Sequence, residues 1–184
     1  MAAFGKLVDD GLVRTIGLSN FTPARMREWM QTAADLGVAQ PVALQPHYNL
    51  VHRNEVEGEI APIAEEFDLG ILPYYALASG FLTGKYRSPD AAGSSPRAKG
   101  AAKYATPQGL QILEVLERIA AAHDTSMAAV SLAWLRSQPH VAAPIASASR
   151  VDQVPDLLAS GTLTLTDDEL ADLDVVSEWT PTDI

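Results

Sequence analysis

Cysteine is absent from these 184 residues, so no disulfide, thiolate nucleophile or thiolate metal ligand enters the chemistry. Basic residues are scarce. Thirteen Lys and Arg stand against 23 Asp and Glu, a formal net charge of −10. Neutralising a phosphate backbone requires clustered cations, which argues against nucleic acid as a partner. An anionic small molecule would have to be held by a few local cations and by backbone N–H groups. No apolar run approaches the ~20 residues needed to span a bilayer, so no membrane partner is expected. Met1-Ala2-Ala3-Phe4-Gly5-Lys6 lacks the basic-then-apolar order of a secretory leader. Cytoplasm is the default expectation. His47 and His52 lie five apart with neither a third ligand nor helical spacing, a poor metal site and a better pair for loop packing.

What is present is a hydrophobic content of 47%, enough for one domain over residues 1–184 with a buried core. That length falls short of the ~250 residues of a complete (β/α)8 barrel. Helices and apolar strands alternate. Residues 2–10 read as a short helix closed by Gly11, and Val13 to Leu18 as a strand. Thr22-Pro23 caps a helix that runs to Leu36 and stops at Gly37. Val42 to Gln45 is a second strand. A helix over Glu55–Phe67, weakened by Gly58 and Pro62, closes at Gly70, and Ile71 to Tyr74 is a third strand. A long loop spans Ala76–Ala105.

Thr106-Pro107 and Ser126 cap two further helices, the first with Leu110, Leu113, Leu116, Ile119 and Ala120 on its inner face. Val141 to Ala146 is a fourth strand. Arg150 to Ala159 reads as a helix with an unexplained Pro155 inside it, and Thr166 with Glu169 as a capping box. Trp29, Trp134 and Trp179 fall in amphipathic helices as core or interface residues. Nearly all-apolar strands separated by helices imply a parallel sheet covered by helices, either doubly wound or a barrel. No Gly-x-Gly-x-x-Gly follows a strand.

Polar residues close the strands: Ser19-Asn20, Gln45, Tyr74 and Ser147. Singly, each is an ordinary solvated rim residue. Together they match a planar, amide-bearing ligand, because Ser, Asn and Gln can satisfy a carboxamide and Tyr can stack on a flat heterocycle.

Four segments, Gly17-Leu18-Ser19-Asn20-Phe21, Leu44-Gln45-Pro46-His47-Tyr48-Asn49-Leu50, Pro73 to Tyr86 and Ala143-Pro144-Ile145-Ala146-Ser147, resemble in order the second half of an aldo-keto reductase. That family is a (β/α)8 TIM barrel that reduces aldehydes and ketones with NADPH. The resemblance selects the barrel: an α/β half-barrel of four parallel strands with covering helices, strands five to eight. It implies that Ser19, Asn20 and Gln45 bind the nicotinamide carboxamide and that Tyr74 stacks on its ring. It implies that Leu77, Ser79, Gly80, Leu82, Gly84 and Lys85 close over the pyrophosphate. It implies that Ser147, Arg150, Gln153 and Asp156 lie at the adenosine 2′-phosphate. Arg150 also fits a solvated helix position, so NADPH against NADH stays open.

Two departures stand out. Tyr75-Ala76 replaces the common Ser-Pro, and His47 stands where Glu is frequent. The family's catalytic Asp, Tyr, Lys and His belong to its first four strands. Tyr48, Tyr74, Tyr75, Tyr86 and Tyr104 do not match the catalytic tyrosine, and no Lys or His here matches its partners. No catalytic residue is therefore assigned. Residues 2–11 resemble the end of a helix that precedes the family's fifth strand, so the start reads as internal. The expected activity is that of an NADP(H)-dependent oxidoreductase acting on a small-molecule carbonyl, carried here by a C-terminal fragment. The alternative is a non-catalytic cofactor-binding half-barrel that forms a homodimer through its open strand edges.

Overall fold

In a computed structural model that describes residues 1–88 and 96–179, the pattern of strands and helices appears as an α/β arrangement, a parallel sheet with covering helices. Three parallel strands, β1 (Ile16–Ser19), β2 (Pro41–Gln45) and β3 (Gly70–Ile71), pair in the order β1-β2-β3. The register sets Ser19 opposite Gln45 and Leu44 opposite Ile71. Leu18, Leu44 and Ile71 are buried in the apolar cluster, and Gly17 and Gln45 are exposed. Side chains thus alternate between a helix-covered face and an open one.

The fourth strand is less regular than its sequence suggests. Val141 forms an isolated parallel bridge to Ile71, and Ile145 N–H donates to Pro73 O at 2.8 Å. The segment therefore runs beside β3 without a continuous ladder. Val42 and Ile145 are exposed apolar residues, 48% and 43% accessible.

The covering helices are α1 (Ala2–Asp9), α2 (Pro23–Leu36), α3 (Ala61–Phe67), α4 (Pro96–Ala102), α5 (Pro107–Ala122), α6 (Met127–Ser137), α7 (Val154–Thr162) and α8 (Asp167–Val176). Their ends follow the sequence signals. Thr22, Thr106, Ser126 and Thr166 each accept the backbone N–H three residues on, and Glu169 closes a capping box with Thr166. Gly37 stops α2 in the left-handed region, at φ 62°. Trp134, Leu113, Leu116 and Ile119 form the interior of α5 and α6, whereas Leu110 is only half-buried.

Several expectations are corrected. Pro155 is at the first turn of α7, where its missing N–H is needed by no one; the helix begins at Val154 after a 3-10 turn, Val151–Gln153. The helix before β3 opens with a π turn, Val56–Ile60, immediately ahead of Pro62, which widens the ladder where the ring would clash. It closes at Asp68 (φ 53°), not at Gly70. Gly70 belongs to β3, where a Cβ would stand 3.3 Å from the Ala142 Cβ. The long loop is partly ordered into a 3-10 stretch, Ala78–Thr83, and α4; its residues 89–95 lie outside the described residues. Trp179 lies beyond α8, over Gly58, and donates to Glu57 Oε2 at 2.9 Å. Among the described residues no helix is long and apolar enough to cross a membrane.

Candidate functional site

The strand ends bring the first group together. Ser19 Oγ donates to Gln45 O at 2.9 Å, tying the ends of β1 and β2. Asn20 takes the left-handed conformation (φ 58°), and its Oδ1 accepts the Tyr74 hydroxyl at 2.9 Å. Asn tolerates that backbone better than most residues. Tyr74 is aligned by a parallel bridge to His47, with Tyr74 N–H on Pro46 O at 2.9 Å. Burial, with Glu55 and Tyr75 adding, raises the Tyr74 phenol above its ordinary value. The phenol therefore remains a neutral donor.

The second group is a tight turn. Ala78, Ser79, Gly80 and Gly84 all have positive φ. Thr83 Oγ1 donates to Gly80 O at 2.7 Å, and Gly84 N–H to Phe81 O at 2.9 Å. Gly84 is favoured by its backbone, at φ 79°, and a Cβ there would meet Met127 Sδ at 2.7 Å, a flexible side-chain end that can move aside. Phe81 and Leu82 are fully buried, so Leu82 is a core side chain and any ligand contact it makes is through its backbone. Leu77, Ser79 and Gly80 are half-buried and Lys85 is exposed.

The third group stands at the entry to α7. Ser147 is exposed at the end of the fourth extended segment. Gln153 Oε1 accepts from Ser149 N and Oγ at 2.9 and 3.2 Å. Asp156 is half-buried in the first turn of α7. The Arg150 fork is turned onto Asp152, with Nε–Oδ1 at 3.0 Å and Nη2–Oδ2 at 2.7 Å, on the exposed surface. That pairing foremost holds the Asp152 carboxyl below its usual range, and the charge of Lys85 contributes. Lys85 and Arg150 thus act on the same patch. A phosphate there would compete with Asp152 for the guanidinium.

His47 and Asn49 carry a role that residue type alone did not reveal. His47 stacks on His52 with centroids 3.9 Å apart and on Tyr74 at 5.6 Å, and Asn49 is completely buried between their loops. Loop packing describes the histidine pair, but the stack reaches into the strand-end group. Burial, reinforced by the charges of His52 and Lys103, pushes the His47 imidazole down to about 4. The unfolded chain, with an ordinary value of 6.5, therefore takes up this proton first. The resulting stability is complete above that pH and is lost as pH falls toward about 4. Lowering pH from 7 to 5 is expected to cost the protein about 1 kcal/mol through this part-exposed ring. Urea unfolding of wild type and His47→Gln at both pH values measures it, and equal losses in the two proteins would refute it.

The rim groups lie apart from a groove of about 670 Å³ between α5 and α8, which Gln108, Arg118, Asp172 and Val175 line. That groove contains none of the polar strand-end residues.

A sequence model described as the aldo/keto reductase family matches residues 1–178. A Schizosaccharomyces pombe protein provisionally named aryl-alcohol dehydrogenase is 32% identical over 180 residues, which is 92% of this chain and 52% of that protein. A rice protein provisionally named voltage-gated potassium channel subunit beta is 30% identical, over 83% of this chain and 48% of its own. L-glyceraldehyde 3-phosphate reductase of Escherichia coli O157:H7 is 27% identical, over 94% of this chain and 52% of its own. The chain spans about half the length of the curated relatives it matches.

Proposed function

The chain belongs to the aldo/keto reductase family, whose members in general use NAD(P)H, and from that membership we propose that it supplies the nicotinamide-binding half of a carbonyl reductase. Its reaction in the complete barrel is reduction of an aldehyde or ketone to the alcohol. Ser19, Asn20 and Gln45 hold the carboxamide, and Tyr74 stacks on the ring. The turn from Leu77 through Ser79, Gly80, Leu82 and Gly84 to Lys85 covers the pyrophosphate. Ser147, Arg150, Gln153 and Asp156 receive the adenosine end, with Arg150 favouring NADPH because a guanidinium fork suits a phosphate.

The observation that carries this reading is the contact of three strand ends: Ser19 on Gln45 and Tyr74 on Asn20. Residues from three parallel strand ends thus meet at one rim, where parallel α/β barrels place their working groups. When bound, the cofactor supplies the hydride; this chain binds and orients it, and a proton donor must come from residues that the chain does not match. NADPH fluorescence titration tests the reading. Saturable binding that weakens about tenfold or more in Gln45→Ala and Tyr74→Ala is expected, and affinity unchanged in both variants would sink it.

A second reading, a cofactor-binding half-barrel that self-associates, draws on a different observation. Among the described residues β1 pairs only with β2, and Val42 of β2 and Ile145 beside Pro73 are exposed apolar residues. An unpaired edge beside apolar surface favours association. A homodimer by light scattering in those samples is its mark.

A further inference from the structure

We infer that His47 and Asn49 form a clamp that fixes the plane of the Tyr74 ring. For its effect on the cofactor this rests on the stacking role proposed for Tyr74; for its effect on Tyr74 it rests on contacts alone. The Tyr74 ring lies nearly parallel to His47, at 19° with centroids 5.6 Å apart, and His52 backs His47 at 3.9 Å and 15°. Tyr75 closes the edge of the stack, 5.3 Å and 67° from His47 and 5.3 Å and 61° from Tyr74. Three flat rings therefore stand in one column behind the strand ends. Such offset stacking is directional, so displacing one ring tilts the next.

Asn49 orients this column. It is fully buried, and each of its side-chain polar atoms is used. Oδ1 accepts the Val51 N–H at 2.9 Å, which fixes the other end as the amide nitrogen. Nδ2 lies 2.9 Å from Tyr75 O and 3.2 Å from His47 Nε2. An amide nitrogen can only donate. His47 Nε2 must then offer a lone pair, so the imidazole is neutral with its proton on Nδ1, in agreement with its burial. The same amide grips the carbonyl of Tyr75, a bulky residue held at φ 52°. Left-handed backbone at such a residue persists only where its surroundings impose it. Tyr74 is thereby fixed at three points: its hydroxyl by Asn20, one ring face by His47, and the following peptide by Asn49. His47 and Asn49 are positioning residues, acting on the ligand through Tyr74.

The test compares His47→Leu, which removes the flat ring, with His47→Phe, which keeps it, and with Asn49→Asp, which cannot donate to either partner. Three readouts are taken: Tyr74 ring NMR shifts without ligand, the NADPH Kd, and the thermal midpoint. His47→Leu and Asn49→Asp should move the Tyr74 resonances and raise Kd about 3- to 10-fold, and His47→Phe should restore both most of the way. A loss of stability alone would give no rescue by Phe against Leu. Tyr74 resonances unmoved in folded His47→Leu, or a Kd equal to wild type there, would overturn the clamp and leave the cofactor reading intact. If the wild-type chain binds no NADPH but Tyr74 moves in His47→Leu, the clamp stands and the cofactor reading falls.

Discussion

Gly109→Ala will lower the thermal midpoint, although alanine is the better helix former by about 1 kcal/mol. Gly109 is buried in the first turn of α5, where its N–H donates to Thr106 Oγ1 at 3.0 Å. A Cβ there would stand 1.9 Å from the carbonyl oxygen of Tyr104 and 3.1 Å from Phe81 Cζ. The first is backbone and cannot rotate away, so the chain entering α5 must shift bodily. Tyr104 in turn packs on Phe81, a buried ring within the 3-10 stretch Ala78–Thr83, at 5.9 Å. Overpacking of this kind exceeds the helix gain, for a net loss of about 2 kcal/mol and roughly 5 °C in Tm. Gly161→Ala in α7 is the control. Nothing lies within 4 Å of its Cβ position, and its Tm should hold or rise. A Gly109→Ala protein as stable as wild type on a melting curve would show that the close approach is not a constraint.

Most of the fold was legible because helix ends and apolar strands are local events. Thr22, Thr106, Ser126 and Thr166 cap as read, and the Gly37 stop stands where expected. What failed depended on packing between distant segments. Gly70 looks like a helix stop in isolation, but the Ala142 side chain across the sheet explains it. Gly58 looks like a weak point in a helix until Trp179, 121 positions on, is found lying over it. Pro155 is unexplained only if the helix starts near Arg150; α7 starts four residues later, at Val154, after the 3-10 turn.

Legibility of the site divides in the same way. The strand-end set of Ser19, Asn20, Gln45 and Tyr74 is readable as residue types closing apolar runs, and the fold joins them in two pairs, Ser19 to the Gln45 main chain and Tyr74 to the Asn20 side chain. Leu82 reads as a ligand contact by its place in a motif, and because a segment with successive left-handed residues turns Phe81 and Leu82 inward, only its backbone is free for that role. Asn49 carried no signal. Its importance comes from complete burial and from three partners on two loops. The spacing of the histidine pair speaks against a metal site and for loop packing, while its stacking geometry depends on a turn between Asn49 and His52 whose two backbone bonds no spacing rule encodes.

Supplied in trans with the first four strand–helix units of an aldo/keto reductase, this chain will support NADPH-dependent reduction of an aldehyde that it does not reduce alone. Hydride delivery leaves an alkoxide, and protonating it in the transition state is worth about 10²- to 10⁴-fold. Tyr74, the tyrosine at the rim, has its hydroxyl committed to Asn20 and its phenol pushed up by burial, which suits a stacking ring and not an acid. On that reading the complementary half would bring the acid and would also cover the edge of β1 that is unpaired among the described residues, with the exposed Val42 and Ile145. Both changes act in the same direction, raising activity and Tm together. NADPH consumption with an aromatic aldehyde should rise at least 10²-fold on mixing, vanish when the donor half's acid tyrosine becomes phenylalanine, and fall with Gln45→Ala in this chain. If the chain also self-associates through those edges, activity should climb with excess donor half as homodimer is displaced. Equal turnover with and without the donor would mean that this chain carries its own acid. A tight, stable and inactive complex would mean that its strand ends do not orient the cofactor.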